Sequence, residues 1–351
     1  MSNFLNENIN KMQAYVPGEQ PQDKAYIKLN TNESPFPPSS GVVNGLTEKN
    51  LQSLRLYCDP QCKVLKNKLA NLYGVSDKNV FVSNGSDEIL NFAFMAYGNK
   101  GVYFADVTYG FYSVFAELYN LPTTVIPLKE DFTLNLAGFY GRNGLVVIAN
   151  PNAPTGLEIS LNEIEEIIKS NPNGVVVIDE AYVDFGGTSA LPLIDKYDNL
   201  LVVRTYSKSR SMAGARLGYA FANQKLIQDL EKIKYSTNPY NVNSLTQLLG
   251  SLAVDDQKYY DDNCQKIIEN RQFTKNELEK LGFKVLHSKA NFLFAKSEKI
   301  AGEKLYLSLK DKGVLVRHFN KQRIADYIRI TIGDQKQMQT FIEKVKEILG
   351  E

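Results

Sequence analysis

Short runs of aliphatic and β-branched residues alternate with helical patterns between residues 79 and 222, and this order restricts the possible folds more than any other feature. Two of the runs, residues 145–149 (LVVIA) and 175–178 (VVVI), are continuously apolar, as in parallel strands buried on both faces. The order predicts an α/β fold, with a mostly parallel sheet flanked by helices. We expect strands at residues 79–83, 101–105, 123–127, 145–149, 175–179, 200–204 and 217–222. Helical patterns lie at residues 86–98, 110–120 and 160–170.

The sequence pattern changes after about residue 224, where long charged helical patterns replace the alternating strands and helices. Short strand-like runs then follow at residues 290–295, 314–319 and 327–333, and a helical pattern covers residues 335–350. We expect a smaller α+β domain here. The predicted division is an N-terminal arm packing with the small domain (1–30), a large domain (31–245) and a small C-terminal domain (246–351).

Charge and cysteine content exclude several classes of protein. The chain has 40 Lys and Arg against 39 Asp and Glu, so nothing indicates a nucleic-acid or membrane-surface partner. Its apolar runs are too short to span a bilayer, and its first residues lack the apolar segment of a secretory signal. Three cysteines cannot all pair, which favours the reducing cytoplasm. Cys58 and Cys62 are spaced like half a metal site, but no second half follows, so we expect no metal.

Gly85, Ser86 and Asp87 follow a predicted strand and open a predicted helix. Free backbone N–H groups at such a helix start can bind a phosphate group. Ser and Asp are also ordinary N-cap residues that need no ligand, and this motif alone favours that interpretation.

Asp179 and Lys208 each follow a buried strand, at the edge where ligands bind in open α/β sheets. Asp179 could hold a ribose hydroxyl, pair with a cationic ring nitrogen, cap a helix or form a salt bridge. Lys208 lies among hydroxyl side chains and arginines, and nearby cations favour the neutral, nucleophilic form of an amine. A rigid turn at residues 150–156 (NPNAPTG) adds a preformed wall at the same edge.

Taken together, these motifs resemble those of the fold-type I pyridoxal-5′-phosphate enzymes. The order and spacing match for Gly-Ser-Asp, Tyr109, residues 150–156, residues 179–182 (DEAY) and Ser207-Lys208 followed by residues 213–216 (AGAR). Within that group the chain is similar to the histidinol-phosphate aminotransferase family. That similarity rests on residues 13–19, 30–39, 57–60, 314–319 and 328–333.

The resemblance implies a role for each matching residue. Lys208 would hold pyridoxal 5′-phosphate covalently and carry the proton, Asp179 would pair with the ring nitrogen, and Tyr182 would contact the ring oxygen. Cofactor binding would further involve Gly85, Ser86, Asp87, Tyr109, Asn152, Ser207 and Arg216, with Tyr57 supplied by the second subunit of a homodimer. Substrate binding would involve Tyr15, Asn32, Asn291, Arg317 and Arg329.

Two positions depart from the family pattern. Ala153 stands where the family has an asparagine that contacts the cofactor's ring oxygen, so either Asn152 substitutes for it or Tyr182 makes that contact alone. The family usually has Arg directly before Tyr57 and proline after it, whereas this chain has Leu56 and Cys58 at these positions. These differences weaken the expected contact between subunits.

The expected reaction is amino transfer from L-histidinol phosphate to 2-oxoglutarate, giving imidazole-acetol phosphate and L-glutamate. Threonine-phosphate decarboxylase and aromatic amino-acid aminotransferases share these motifs and remain alternatives. A nucleotide-binding oxidoreductase would need a Gly-x-Gly-x-x-Gly motif, which the sequence lacks. A cofactor-binding regulator would need a DNA-binding module, for which there is neither length nor a basic helix.

Overall fold

The computed structural model describes residue 2 and residues 4–351, which form a seven-stranded and a four-stranded β-sheet together with a two-stranded sheet. The strands are β1 (Ile27–Lys28), β2 (Val80–Ser83), β3 (Val102–Ala105), β4 (Thr123–Ile126), β5 (Leu145–Ala149), β6 (Val175–Asp179), β7 (Leu200–Thr205), β8 (Gly218–Ala222), β9 (Phe283–Val285), β10 (Phe292–Ser297), β11 (Val314–Leu315), β12 (Arg317–His318) and β13 (Tyr327–Thr331). The α-helices are α1 (Glu7–Lys11), α2 (Ser40–Asn44), α3 (Glu48–Gln52), α4 (Lys63–Tyr73), α5 (Ser86–Tyr97), α6 (Phe111–Leu118), α7 (Leu161–Ser170), α8 (Gln224–Thr237), α9 (Ser244–Asp255), α10 (Gln257–Lys280), α11 (Gly302–Asp311) and α12 (Gln335–Leu349).

The larger sheet has the strand order β2-β8-β7-β6-β5-β3-β4. Strand β8 pairs antiparallel with β2 and β7, and the other neighbours in this sheet run parallel. The predicted α/β fold with a mostly parallel sheet is therefore confirmed. Because β5, β6 and β7 are parallel neighbours, their carboxyl ends meet at one edge.

Helices cover both faces of this sheet, which explains its continuously apolar strands. In β5, Val146 and Ile148 face one apolar core, whereas Leu145 and Val147 face the other. Helices α7 and α8 begin at side-chain caps that the sequence supplies, whereas α5 and α6 begin without one. Helix α7, for example, starts at a capping box in which Ser160 and the third helical residue, Glu163, bond each other's backbone N–H groups.

The smaller sheet is antiparallel, with the order β12-β13-β10-β9. Ile328 and Ile330 of β13 face a separate apolar core to which α10, α11 and α12 contribute. The N-terminal segment lies against this region, since β1 pairs parallel with β11 and Glu19 binds Lys310 and Tyr306. Helix α9 packs on α2 and α4, whereas α10 contacts β9 and α12. The predicted domain boundary near residue 245 stays a prediction.

All three cysteines are free. Across residue 2 and residues 4–351, no helix combines the length and apolar character that a membrane span requires.

Candidate active site

A cavity of about 220 Å³ opens at the carboxyl edge of the large sheet, where β6 and β7 end. The structure brings most of the predicted cofactor residues together around it. Those that line it are Ser86, Asp87, Tyr109, Asp179, Tyr182, Ser207, Lys208 and Arg216. The residues lie far apart in the sequence, and the parallel order of the strands collects them at one edge.

Lys208 lies half-buried in the loop between β7 and β8. Its Nζ donates a hydrogen bond to the backbone oxygen of Thr31, 3.3 Å away, and lies 5.7 Å from the centre of the Tyr182 ring. The loop is held just after the lysine, because Ser209 donates to Asp184 over 2.5 Å and Ser211 to Ser34 over 2.9 Å. The amine therefore projects into the cavity from a well-anchored backbone.

Asp179 ends β6 and is 5% exposed. The backbone N–H of Ala181 donates to Oδ1 over 3.2 Å, and the Tyr112 hydroxyl donates to Oδ2 over 2.7 Å. Burial raises the pKa of Asp179 from about 3.8 to about 6, and these two donors oppose the rise. The nearby Arg204 and Arg216 pair with Glu180 and Asp87 instead, so the Asp179 carboxylate faces the cavity without a cationic partner from either.

Two tyrosines form further walls of this cavity. The Tyr182 hydroxyl accepts a hydrogen bond from Nδ2 of Asn32 at 3.0 Å, and its ring packs edge-on against Phe292. The Tyr109 hydroxyl donates to Asp87 over 2.8 Å. Both rings therefore line the cavity and are held in place through their hydroxyl groups.

The first turn of α5 faces Arg216 across the cavity entrance. Gly85 precedes the helix with a φ of 83° and a ψ of 161°, a backbone conformation that favours glycine, and the Arg216 guanidinium lies close to it. Arg216 has a left-handed φ of 52° and pairs with Asp87 at 3.1 Å. Because the Asp87 carboxylate is engaged by Arg216 and Tyr109, its backbone N–H, together with that of Ser86, is the group suited to an anion.

Asn152 does not line the cavity, whereas Ala153 does. The Asn152 side chain accepts from Thr108 at 2.8 Å and donates to the Val107 backbone oxygen at 2.9 Å and to Thr155 at 3.0 Å. Its amide is therefore occupied in joining two loops.

A second cavity, of about 460 Å³, adjoins the first and shares Thr31, Tyr109, Ala153, Tyr182 and Lys208 with it. Arg317, Lys321 and Arg329 also line this cavity. None of its lining residues, within the part of the chain that the structure describes, is acidic. Such a surface attracts anionic groups.

Arg317 and Arg329 lie directly opposite each other on the paired strands β12 and β13. Like charges directly opposite each other are destabilising, and an anion bound between the two guanidinium groups would offset their repulsion. Arg329 donates to the Asn30 backbone oxygen at 2.9 Å, and its buried Nε has no hydrogen-bond partner within the described residues. Burial lowers the pKa of Arg329, and the charge of Arg317 lowers it further. Strand β13 lies between β12 and β10, so Arg329 is on an inner strand of the sheet and not on an exposed edge strand.

Asn32 and Asn291 connect the N-terminal segment to the small sheet. Asn32 has a φ of 59°, its backbone N–H donates to Thr331 Oγ1 at 3.0 Å, and its Oδ1 accepts from the same hydroxyl at 2.9 Å. Asn291 donates to the Asn32 backbone oxygen at 3.0 Å. The buried Oδ1 of Asn291 has no partner among the residues that the structure describes.

Tyr15 and Tyr57 lie at the periphery. Tyr15 lines the second cavity and packs on Phe111, with ring centres 4.3 Å apart. Tyr57 is 85% exposed, stacks on Tyr240 with ring centres 4.6 Å apart, and lines neither cavity of its own chain.

Sequence reasoning missed two residues of this region, Tyr112 and Lys321. Tyr112 lies in the helical pattern of residues 110–120 as one of several aromatic residues, and no local signal distinguishes it. Lys321 follows β12 in an exposed segment of ordinary composition. Only the hydrogen bond of Tyr112 to Asp179, and the position of the segment after β12 beside the cavity, identify them.

Comparison with known proteins identifies the family to which this fold and this site belong. The family profile described as aminotransferase class I and II matches residues 24–345, so the chain belongs to that family. It is 51% identical over 352 residues to histidinol-phosphate aminotransferase of Brachyspira hyodysenteriae, covering 99% of each chain. This finding confirms the resemblance that the motifs predicted.

Solved structures extend the comparison of the fold. The histidinol-phosphate aminotransferase of Sinorhizobium meliloti, solved in complex with pyridoxal-5′-phosphate, has a TM-score of 0.89 at 22% identity, covering 100% of this chain and 98% of that one. The L-threonine-O-3-phosphate decarboxylase of Porphyromonas gingivalis has a TM-score of 0.80 at 22% identity, covering 93% and 100%. The same fold therefore occurs in an aminotransferase and in a decarboxylase, so the fold alone does not determine the reaction. The residues of the site must distinguish amino transfer from decarboxylation.

Proposed function

We propose that the chain is a pyridoxal-phosphate-dependent aminotransferase that acts on L-histidinol phosphate and 2-oxoglutarate in histidine biosynthesis. The observation that carries this proposal is the pair of adjoining cavities. One presents Lys208 and Asp179, and the other presents arginines and, among the residues that the structure describes, no acidic residue. The relative that is 51% identical over the full length supports the choice of substrate.

The residues of the first cavity fit pyridoxal phosphate in three independent respects. A buried carboxylate without an arginine partner, Asp179, suits a cationic ring nitrogen. The N-terminus of α5, with Ser207 and Arg216, suits the phosphate group. The amine of Lys208 lies between these two ends and suits the aldehyde.

When bound, pyridoxal phosphate supplies an electron sink for the amino-transfer chemistry. Lys208 then carries a proton on Nζ to and from the substrate, a role that suits an amine whose loop is anchored by Ser209 and Ser211. Asp179 would keep the ring nitrogen charged through its carboxylate. Tyr109 would pack on the ring and Tyr182 alone would hold the ring oxygen, because the Asn152 amide is engaged elsewhere.

The second cavity must accept two different anions in turn, since the donor carries a phosphate and the acceptor a carboxylate. Arg329 and Arg317 suit both groups, because a planar guanidinium pairs bidentately with either. Asn32 and Asn291 hold the wall on which Arg329 lies, and Tyr15 closes the outer side.

The decisive experiment presents the purified enzyme with a panel of donors: histidinol phosphate, phenylalanine, tyrosine and threonine phosphate. We expect a kcat/KM for histidinol phosphate far above the others, and formation of glutamate in equal amount to the keto product. Release of carbon dioxide from threonine phosphate at a comparable rate would contradict the proposal in favour of a decarboxylase. A preference for phenylalanine or tyrosine would favour an aromatic aminotransferase.

Arg329→Ala should raise KM for histidinol phosphate and for glutamate together, by about ten- to a hundredfold, because both anions lose a charge-assisted contact. Arg329→Lys should recover only part of the loss, since an ammonium lacks the planar fork. Arg323→Ala is the matched control, because Arg323 is bound to Asp106 and lines neither cavity. If Arg329→Ala released the cofactor while leaving both KM values normal, the two anion sites would be assigned the wrong way round.

We also propose that the active unit is a cytoplasmic homodimer in which Tyr57 reaches the cofactor phosphate of the neighbouring subunit. Several exposed apolar side chains in the segment that precedes Tyr57 support an interface here: Val43, Leu46, Leu51, Leu54 and Leu56. The exposed position of Tyr57 also suits a contact with another chain. Free cysteines suit a reducing compartment.

Mixing a Tyr57→Phe chain with a Lys208→Ala chain tests this arrangement. Each mixed dimer should contain one site with both lesions and one with neither, so activity should return to about a quarter of the wild-type value after equal mixing. The measurement is the initial rate after subunit exchange, compared with the unmixed parents. In the control, a Tyr235→Phe chain takes the place of the Tyr57→Phe chain; Tyr235 is also exposed, and this variant should be fully active before mixing. Activity equal to the average of the parents would mean that Tyr57 does not act across the interface.

A further inference from the structure

A buried hydrogen bond lies directly behind the first cavity. Tyr112, the second residue of α6, donates its hydroxyl proton to Oδ2 of Asp179 over 2.7 Å, and Tyr112 has no exposed surface. The backbone N–H of Ala181 donates to Oδ1 over 3.2 Å. Each carboxylate oxygen is thus held by a donor of the chain itself.

Aromatic packing fixes the position of the Tyr112 ring. Its centre lies 6.3 Å from that of Phe94, 6.0 Å from that of Phe104 and 5.6 Å from that of Tyr109. With the ring fixed on three sides, the hydroxyl is held toward Asp179. Replacement by phenylalanine would preserve this packing and remove the hydroxyl alone.

We propose that Tyr112 is a positioning residue, whose hydroxyl keeps Asp179 ionised and oriented toward the ring nitrogen of the cofactor. The inference rests on the proposed function, in which Asp179 faces that nitrogen. A hydrogen bond to the charged form of a buried acid favours ionisation. A neutral donor does so without cancelling the negative charge, as an arginine would, and leaves that charge available for a cationic ring.

The surroundings of Asp179 show why such a donor is needed. The titratable groups that face it are Tyr112 from α6, Asp87 from α5, Glu180 from the segment after β6, and Tyr109, Tyr182 and Lys208 around the cavity. Burial opposes ionisation of Asp179, and the charges of Asp87 and Glu180 add to that effect. Without the Tyr112 hydroxyl, a larger fraction of Asp179 would be neutral at pH 7.

The experiment measures binding of pyridoxamine 5′-phosphate to the cofactor-free protein by calorimetry, from about pH 5 to about pH 8. This probe has no aldehyde, so its affinity does not depend on covalent attachment to Lys208. Tyr112→Phe should weaken binding about tenfold at pH 7 and move the pH at which binding is half lost upward. Tyr219→Phe is the matched control, since Tyr219 is also buried and its hydroxyl bonds that of Tyr73 at 2.7 Å.

A second comparison separates positioning from a merely structural role. In an Asp179→Asn background, Tyr112→Phe should add little to the loss of affinity, because the carboxylate on which the hydroxyl acts is already gone. An equal cost in both backgrounds, or equal behaviour of Tyr112→Phe and Tyr219→Phe, would overturn the inference. If Asp179→Asn weakens binding and Tyr112→Phe does not, only this inference fails. If the wild-type protein does not bind the probe, the proposed function fails with it.

If Tyr112→Phe does not fold, a fluorinated tyrosine in place of Tyr112 tests the role of the hydroxyl instead. Fluorination makes the phenol a stronger donor and changes its volume little. Burial holds the pKa of Tyr112 well above its ordinary value, so the hydroxyl stays protonated. The pH at which binding is half lost should then move downward. An unchanged pH profile would overturn the inference.

Discussion

Lys208→Ala should lower the rate of transamination by about a thousandfold or more, while the protein keeps its fold. General acid–base catalysis by one positioned group contributes about a hundred- to ten-thousandfold, and loss of a covalent attachment adds to this. The side chain projects into the cavity, and its Nζ donates one hydrogen bond, to Thr31, so its removal leaves the apolar core unchanged. The measurement is the initial rate with a saturating amino donor.

Two controls make the Lys208 result specific. Lys258→Ala, at an exposed lysine paired with Asp262, should retain the full rate. A small primary amine added to Lys208→Ala should restore part of the rate, because the deleted group is a proton carrier and the cavity is large enough for the amine. A rate for Lys208→Ala within tenfold of wild type would contradict its role.

Covalent attachment of the cofactor provides a second, independent readout for Lys208. The loaded protein should be yellow, and borohydride treatment should fix the cofactor irreversibly to one peptide, the one that contains Lys208. Loaded Lys208→Ala should give no labelled peptide. A label on any other lysine would contradict the assignment.

The position of Lys208 and Asp179 could be predicted because the signal for a parallel sheet is local. Strands β6 and β7, at whose ends these residues lie, read as mainly apolar runs; β6 was predicted with its observed bounds and β7 one residue short. Parallel neighbours place their carboxyl ends at one edge, so Asp179 at the end of β6 and the loop just after β7 must lie there. Neither step requires knowledge of how distant helices pack.

Features that depend on distant packing could not be predicted in the same way. The antiparallel direction of β8 follows from the path of the loop that carries Lys208, and its run of apolar residues is the same in either direction. Helix α4 begins after Cys62, which has a left-handed φ of 50° and makes no side-chain cap, so no cap marked its start.

The substrate pocket illustrates the same limit. Arg317 lies opposite Arg329 because of the register between β12 and β13. Arg329 lies inside the sheet because β12 and β10 pair with β13 on either side. Alternation along β13 indicates only that Arg329 and Thr331 share a face. The resemblance to a family supplied what the pattern could not.

Asp179→Asn should slow transamination by about ten- to a hundredfold and yet make the cofactor-free protein more stable at neutral pH. The slower rate follows because a neutral amide does not stabilise a charged ring nitrogen. The gain in stability follows from burial, which raises the pKa of Asp179 from about 3.8 to about 6 in the folded protein. The folded state therefore binds this proton more tightly than the unfolded state, and ionisation of Asp179 destabilises the fold.

The sign and the pH range of the stability effect follow from the same two pKa values. Below about pH 4 Asp179 is protonated in both states and costs nothing; the cost develops between about pH 4 and pH 6 and reaches about 2–3 kcal/mol above that range. Denaturant unfolding of the cofactor-free proteins should show the free energy of unfolding of Asp179→Asn rising relative to wild type across this interval. Asp198→Asn, at an exposed carboxylate, should show no such rise. A difference that is independent of pH, or near-normal turnover in Asp179→Asn, would mean that Asp179 is not the buried partner of the cofactor.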